Sequence, residues 1–157
     1  MAILSRLEEF LKKNSVKFKT VTHPEVFTAQ EMAAEMHVSG KELAKVVMVK
    51  AGDRFVMMVL PASRKLDFKK LKETLEEKEI RLASEDEFKG LFPDCEPGAE
   101  PPFGNLYGVK TIVDTTLTED EHIFFNAGNH YEAVEMAYKD YSRLVKPEVG
   151  DFSSPSP

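Results

Sequence analysis

The chain has 157 residues, of which 42% are apolar and 31% charged, and a formal charge of −6. That balance predicts one soluble globular domain, and no apolar run approaches the roughly 20 residues that cross a bilayer. A net negative chain argues against a nucleic-acid coat protein, whose affinity comes from many phosphate contacts.

A local basic patch is still compatible with that charge. Arg64, Lys65, Lys69, Lys70 and Lys72 supply one, with a solvated helix face as the plainer reading. Cys95 is the single cysteine, so no intramolecular disulfide framework exists and a reducing compartment is expected. The first residues turn acidic and amphipathic within eight positions, unlike a secretory signal. A cytoplasmic location without membrane contact is the expectation.

Ser5 and Glu8 have capping-box spacing, and Leu4, Leu7, Phe10 and Leu11 recur at helical intervals, which predicts a helix over 4–14. Val16, Phe18 and Thr20 then alternate with Lys17 and Lys19 as in a strand with one wet face. Thr28 and Glu31 repeat the capping box and open a helix to about 36, and residues 39–42 predict a further helical turn. Two β-rich runs at 45–50 and 54–60 flank Gly52, so a hairpin is expected, covered on both faces because both runs are nearly all apolar. Pro61 is expected to end it.

Asp67 predicts the cap of a charged helix to about 78, with Leu71 and Leu75 facing inward. A short strand at 80–83 and a Ser84/Glu87-capped helix to about 91 come next. After a Pro/Gly-rich segment at 95–108, strands are expected at 109–114 and 123–127, separated by a polar turn at 115–121. Residues 131–137 are ambiguous by pattern, 140–145 read as a helical turn stopped by Pro147, and 153–157 read as a frayed tail after one domain over 1–152. The order of elements fits a mixed α+β domain rather than regular β-α-β alternation.

The familiar catalytic signatures are absent: no G-x-S-x-G, no phosphate-binding Walker loop and no dinucleotide fingerprint. His23, His37, His122 and His130 do not pair at ligand spacing, so neither metal nor cofactor is expected. Cys95 is flanked by Asp94 and Glu96, which disfavour a thiolate, so a hydrolase using Cys95 ranks below an inert thiol.

Three features carry more weight. The segment CEPGAEPPFGNLYG at 95–108 is poor as helix or strand but good at holding bare backbone in one shape. Lys45 heads an apolar strand, where it must snorkel, pair or line a cavity, with an edge lysine as the plain alternative. His130 follows Gly128 and Asn129 at a strand end, where a side chain can project into a cleft.

Four pieces in order, HPEVFTAQEMA at 23–33, LAKVVMVK at 43–50, PGAEPPFGNLYG at 97–108 and FNAGNHYEAV at 125–134, resemble the YbaK/prolyl-tRNA synthetase-associated domain family. Its members are aminoacyl-tRNA deacylases that edit mischarged tRNA. The resemblance implies an α+β fold with a mixed, partly barrel-like sheet flanked by helices, which makes 131–137 a strand. It implies Lys45, Gly98 and His130 as catalytic positions, with Gly98 and Pro102 forming the family's Gly-x-x-x-Pro loop. Phe27, Thr28, Pro101, Pro102, Phe103, Gly104, Asn126 and Gly128 are the implied substrate contacts, and Met58 and Leu60 are further pocket-wall candidates.

The implied substrate is the aminoacyl ester at the acceptor end of a tRNA, carrying a small residue such as Ala, Cys or Ser. An activated ester needs positioning and charge stabilisation more than a protein nucleophile. The implied protein acts in trans, with a synthetase or elongation factor as partner. The alternative is a non-catalytic module of the same fold that binds an acceptor end or a partner protein. Oligomeric state is not legible.

Overall fold

The computed structural model describes residues 4–156. Its centre is the expected hairpin: β2 (Ala44–Ala51) and β3 (Arg54–Pro61) pair antiparallel in full register, Ala44 opposite Pro61 and Ala51 opposite Arg54. The flanking strands are β1 (Phe18–Thr22), β4 (Arg64–Leu66), β5 (Ile80–Leu82), β6 (Lys110–Asp114), β7 (His122–Asn126), β8 (Glu132–Ala137), β9 (Glu148–Gly150) and β10 (Ser153–Pro155). A five-stranded sheet runs β5-β2-β3-β6-β9, with β3–β6 and β6–β9 parallel, and a three-stranded antiparallel sheet runs β1-β8-β7. A bridge from Leu43 to Phe124 ties the two together. The architecture is α+β and mixed, as expected, and the sheets stay open rather than closing into a barrel.

The helices are α1 (Ser5–Lys13), α2 (Ala29–Met36), α3 (Phe68–Leu75), α4 (Glu85–Phe88) and α5 (Tyr138–Val145). Strand β3 is buried on both sides because its side chains alternate between two cores. Met57 and Val59 join Leu7, Leu11, Phe103, Phe125 and Tyr141 in the larger one. Val56, Met58 and Leu60 join Leu71, Leu75, Ile112 and Phe152 in the second, which α3 covers.

Local signals hold where the chemistry is local. Thr28 and Ser84 both form complete capping boxes, and Asp67 caps α3 by accepting from Lys69 and Lys70. Ser5 does not cap: Leu4 is the N-cap, because its amide donates to Ala127 O at 3.0 Å and its carbonyl accepts from Glu8 at 3.0 Å. Helix α3 stops at Leu75, three residues short of expectation, where Glu76 turns left-handed with φ 51°. The helix expected to run to 91 divides into α4 and a 3₁₀ turn at Lys89–Leu91. Residues 40–42 form a hydrogen-bonded turn and 115–119 a 3₁₀ turn. Val16 sits in the larger core just before β1 rather than within a strand.

The segment expected to fray is instead paired: β10 lies antiparallel on β4, Ser153 opposite Leu66. The cause is Phe152, fully buried in the second core, whose amide donates to Asp114 Oδ1 at 3.1 Å. Arg64 then donates to both Ser153 Oγ and Ser153 O. Pro157 lies outside the described residues.

Candidate functional site

Lys45 is the second residue of β2. Its neighbours Ala44 and Val46 pack on the larger core, so alternation turns Lys45 to the opposite face, beyond the end of the second core. There it lines a cavity of about 160 Å³ with Phe27, Gln30, Gly98, Glu100 and Asn126. Lys45 is half-buried, makes no ion pair among the described residues, and has its pKa lowered by loss of water.

The far wall is the Pro/Gly segment, and its shape is imposed from several sides. Gly98 has φ +86°, a conformation that other residues adopt only under strain. Its amide donates to Glu100 Oε2 at 3.1 Å. Glu96 N donates to Gly128 O at 2.8 Å and Gly128 N to Ala99 O at 3.0 Å, which clamps 96–99 onto the turn after β7. Downstream, Tyr141 Oη donates to Pro102 O at 2.6 Å from within the core. The prolines Pro101 and Pro102 are buried, so the loop is rigid by anchoring as well as by composition.

His130 is buried beside this loop. Its amide donates to Glu96 Oε1 at 2.9 Å, and Nε2 lies 2.8 Å from Pro97 O. A carbonyl only accepts, so Nε2 carries a proton and donates it to Pro97 O. Phe27, an exposed ring, packs against it at 4.7 Å between centroids with the ring planes tilted by 47°. A side chain placed on Gly98 would have its Cβ 3.4 Å from His130 Cε1.

The structure thus brings Lys45, Gly98, Phe27 and Asn126 to one cavity, with His130 and Gly128 bracing the loop that forms its wall. Thr28 is spent on capping α2. Phe103 is fully buried, packed against Phe10, Phe125 and Tyr141, and Met58 and Leu60 lie in the second core. Gly104 faces away: a Cβ there would collide with Thr111 Oγ1 and the carbonyl of Val109, so it is a packing glycine under β6. Sequence reasoning missed Glu100, which is 5% exposed and has its pKa raised by burial. The available signal was a lone carboxylate in the middle of an otherwise uncharged Gly-x-x-x-Pro loop.

Cys95 does not belong to this wall. Its Sγ lies 3.3 Å from Tyr107 Oη, and burial pushes the thiol up to about 11. Much of the basic cluster is also structural: Arg64 holds Ser153, and Lys70 pairs with Asp151 at 3.2 Å. Among the described residues no group of His, Cys, Asp and Glu is arranged to hold a metal ion, and no helix is long and apolar enough to cross a membrane.

Comparison with known proteins returns the same mixed α+β fold and names a family. The family model described as the aminoacyl-tRNA editing domain matches residues 23–144, and the chain belongs to that family. It is 28% identical over 152 residues to the multifunctional Ser/Thr-tRNA deacylase ProXp-y of Escherichia coli, a match covering 94% of this chain and 90% of that protein. It is 26% identical over 142 residues to the proline–tRNA ligase of Macrococcus caseolyticus, where 84% of this chain spans only 25% of the ligase. The fold is shared with a crystal structure of a hypothetical protein at TM-score 0.85 and 21% identity, covering 96% of this chain and all (100%) of that one. A candidate trans-editing enzyme for prolyl tRNA synthetase gives TM-score 0.82 at 18% identity, covering 95% of each chain.

Proposed function

We propose that this protein is a trans-acting deacylase that hydrolyses the ester between a small amino acid and the terminal ribose of a mischarged tRNA. The observation that carries the reading is Lys45: a half-buried, unpaired cation facing the anchored Gly98 loop across about 160 Å³. The family and the similarity to a deacylase support the reaction class.

In this reading a water oxygen attacks the ester carbonyl carbon, negative charge grows on the carbonyl oxygen, and the ribose oxygen leaves with a proton. The ester is activated, so the protein need only position it and stabilise that charge. Backbone groups of the Gly98–Pro102 loop hold the aminoacyl end, and Lys45 lies by the developing oxyanion or the terminal phosphate. His130, committed through Nε2 to Pro97 O, acts as a positioning residue for the loop. A cavity this small admits side chains of the Ala, Ser, Cys or Thr size. One methylene there discriminates by only about 1–3 kcal/mol, so several small residues are expected to be accepted.

The net charge of −6 predicts docking of the acceptor end through few phosphates and a shallow salt dependence of binding. The test is release of amino acid from tRNAs carrying Ala, Ser, Cys and Thr, measured against spontaneous hydrolysis. At least one is expected to be deacylated. Binding of the whole panel without turnover would leave a non-catalytic acceptor-end module in its place.

A further inference from the structure

Glu100 is a buried carboxylate lining the same cavity as Lys45, and no ion pair joins the two. Its carboxylate accepts from its own backbone amide and from Gly98 N, the latter to Oε2 at 3.1 Å. Burying a carboxylate with so little compensation costs free energy unless something else supplies positive charge. No ion pair among the described residues does so. The charges that act on it are the exposed Glu85, which opposes its ionisation, and His130, which favours it but is outweighed by burial. A cation and an anion that share one small cavity without meeting form a polarised receptor for a ligand with both signs of charge.

An aminoacyl ester has that polarity. Its carbonyl oxygen becomes negative during hydrolysis, and its α-amine, ordinarily titrating near 8, is largely cationic at neutral pH. We infer that Glu100 receives the α-ammonium of the aminoacyl group, so that the site selects esters of free amino acids over N-acylated ones. This rests on the deacylase reading of the site and deepens it. Lys45 and Glu100 then divide the substrate between them, oxyanion to one and ammonium to the other. The amide of Gly98, bonded to Glu100, couples the shape of the loop to occupancy of that subsite.

The plain alternative is that Glu100 only props the loop. The two differ in what they do to selectivity. A prop lost by Glu100→Gln slows every ester alike, whereas a lost ammonium partner slows only substrates that carry one.

The experiment takes whichever aminoacyl-tRNA in the panel is turned over, prepares its N-acetyl form, and measures kcat/KM for both with wild type, Glu100→Gln and Glu100→Asp. Wild type is expected to prefer the free amine by about tenfold or more, and Glu100→Gln to shrink that ratio to about twofold through loss on the free amine. Glu100→Asp should keep part of the preference. Equal turnover of both forms by wild type overturns the inference without needing a folded variant. So does a ratio unchanged in Glu100→Gln. In both cases deacylation itself still stands. If wild type turns over no charged tRNA, the deacylase reading falls first and this one with it.

Discussion

Two recesses in the molecule differ in the opposite sense in size and in chemistry. The larger, about 970 Å³, lies at the end of β8 and is lined by Lys17, Lys19, Lys139, Glu121, His122 and Asp140 among others. Most of these charges are solvated, both signs are interleaved, and Asp140 is paired with Arg143. The smaller, about 160 Å³, holds two ionisable groups, Lys45 and Glu100, each removed from water and neither paired. Volume alone would choose the first. Two desolvated charges of opposite sign sharing one small cavity choose the second, where the larger recess has only a lone desolvated carboxylate, because such groups cost stability and persist where a ligand completes them.

The sharpest way to break this comparison is to remove the cation. Burial lowers the pKa of Lys45, so the folded state holds its proton less tightly than the unfolded chain does. Below that lowered pKa the cost of the buried charge is present in full, and it fades as pH rises through it. Lys45→Met keeps the stem and deletes the charge. It is expected to lower kcat/KM for deacylation by about 100-fold or more while thermal stability rises or holds at neutral pH. Turnover within a few fold of wild type would move the chemistry elsewhere.

The wall is the next target. A β-carbon on Gly98 would meet His130 Cε1 at an ordinary contact distance of 3.4 Å, but it must take φ +86°, which strains any L side chain. Strain of this kind costs about 1–3 kcal/mol, and Gly98→Ala is expected to lose about tenfold or more in kcat/KM with a smaller loss of stability. His130, which also fixes that loop, should show a loss of the same kind in His130→Ala.

How much of this was legible in the sequence depends on the range of the interaction. Thr28 and Ser84 announce their helices because a capping box closes within four residues. Lys45 and Gly98 were legible as anomalies, a charge in an apolar strand and a glycine amid prolines. Ser5 misled because α1 begins where Leu4 bonds to Ala127, far along the chain. The last strand was invisible because its cause is Phe152 reaching a core built from residues 49–112. Phe103 was misplaced and Glu100 overlooked for one reason: neighbours in sequence, on the same loop, they face core and cavity respectively, and only tertiary packing decides which.

The large recess should respond in stability and not in turnover. Asp120 lines it, and its Oδ2 is buried without a partner. Burial, with Glu42 and Glu119 nearby, raises its pKa to about 6 despite Lys41. A raised carboxyl pKa means the folded state binds the proton more tightly, so stability falls as pH rises from about 4 to about 6 and then levels. Asp120→Asn is expected to be more stable than wild type at pH 7, by about 1 kcal/mol once solvent screening is discounted, with the gain absent below about pH 4. Denaturant titrations at several pH values measure this, and deacylation should stay within about twofold, the scatter of surface substitutions. A collapse of turnover in this variant would mean that the larger recess takes part in the reaction.

The smallest effect is expected from the residue with the most reactive chemistry on paper. Cys95 lies near the loop but its thiol, pushed up to about 11 by burial and by Asp94 and Glu100, sits against Tyr107. At neutral pH the thiolate fraction is then about 10⁻⁴, too small for a nucleophile that must act at each turnover. Cys95→Ser should therefore leave kcat/KM within about twofold, and alkylating reagents should label the native protein slowly. A loss beyond tenfold, with the fold intact by circular dichroism, would put a covalent route through sulfur ahead of water attack. It would also reverse the comparison, because a neutral and half-buried thiol would then outweigh the two unpaired charges across the cavity.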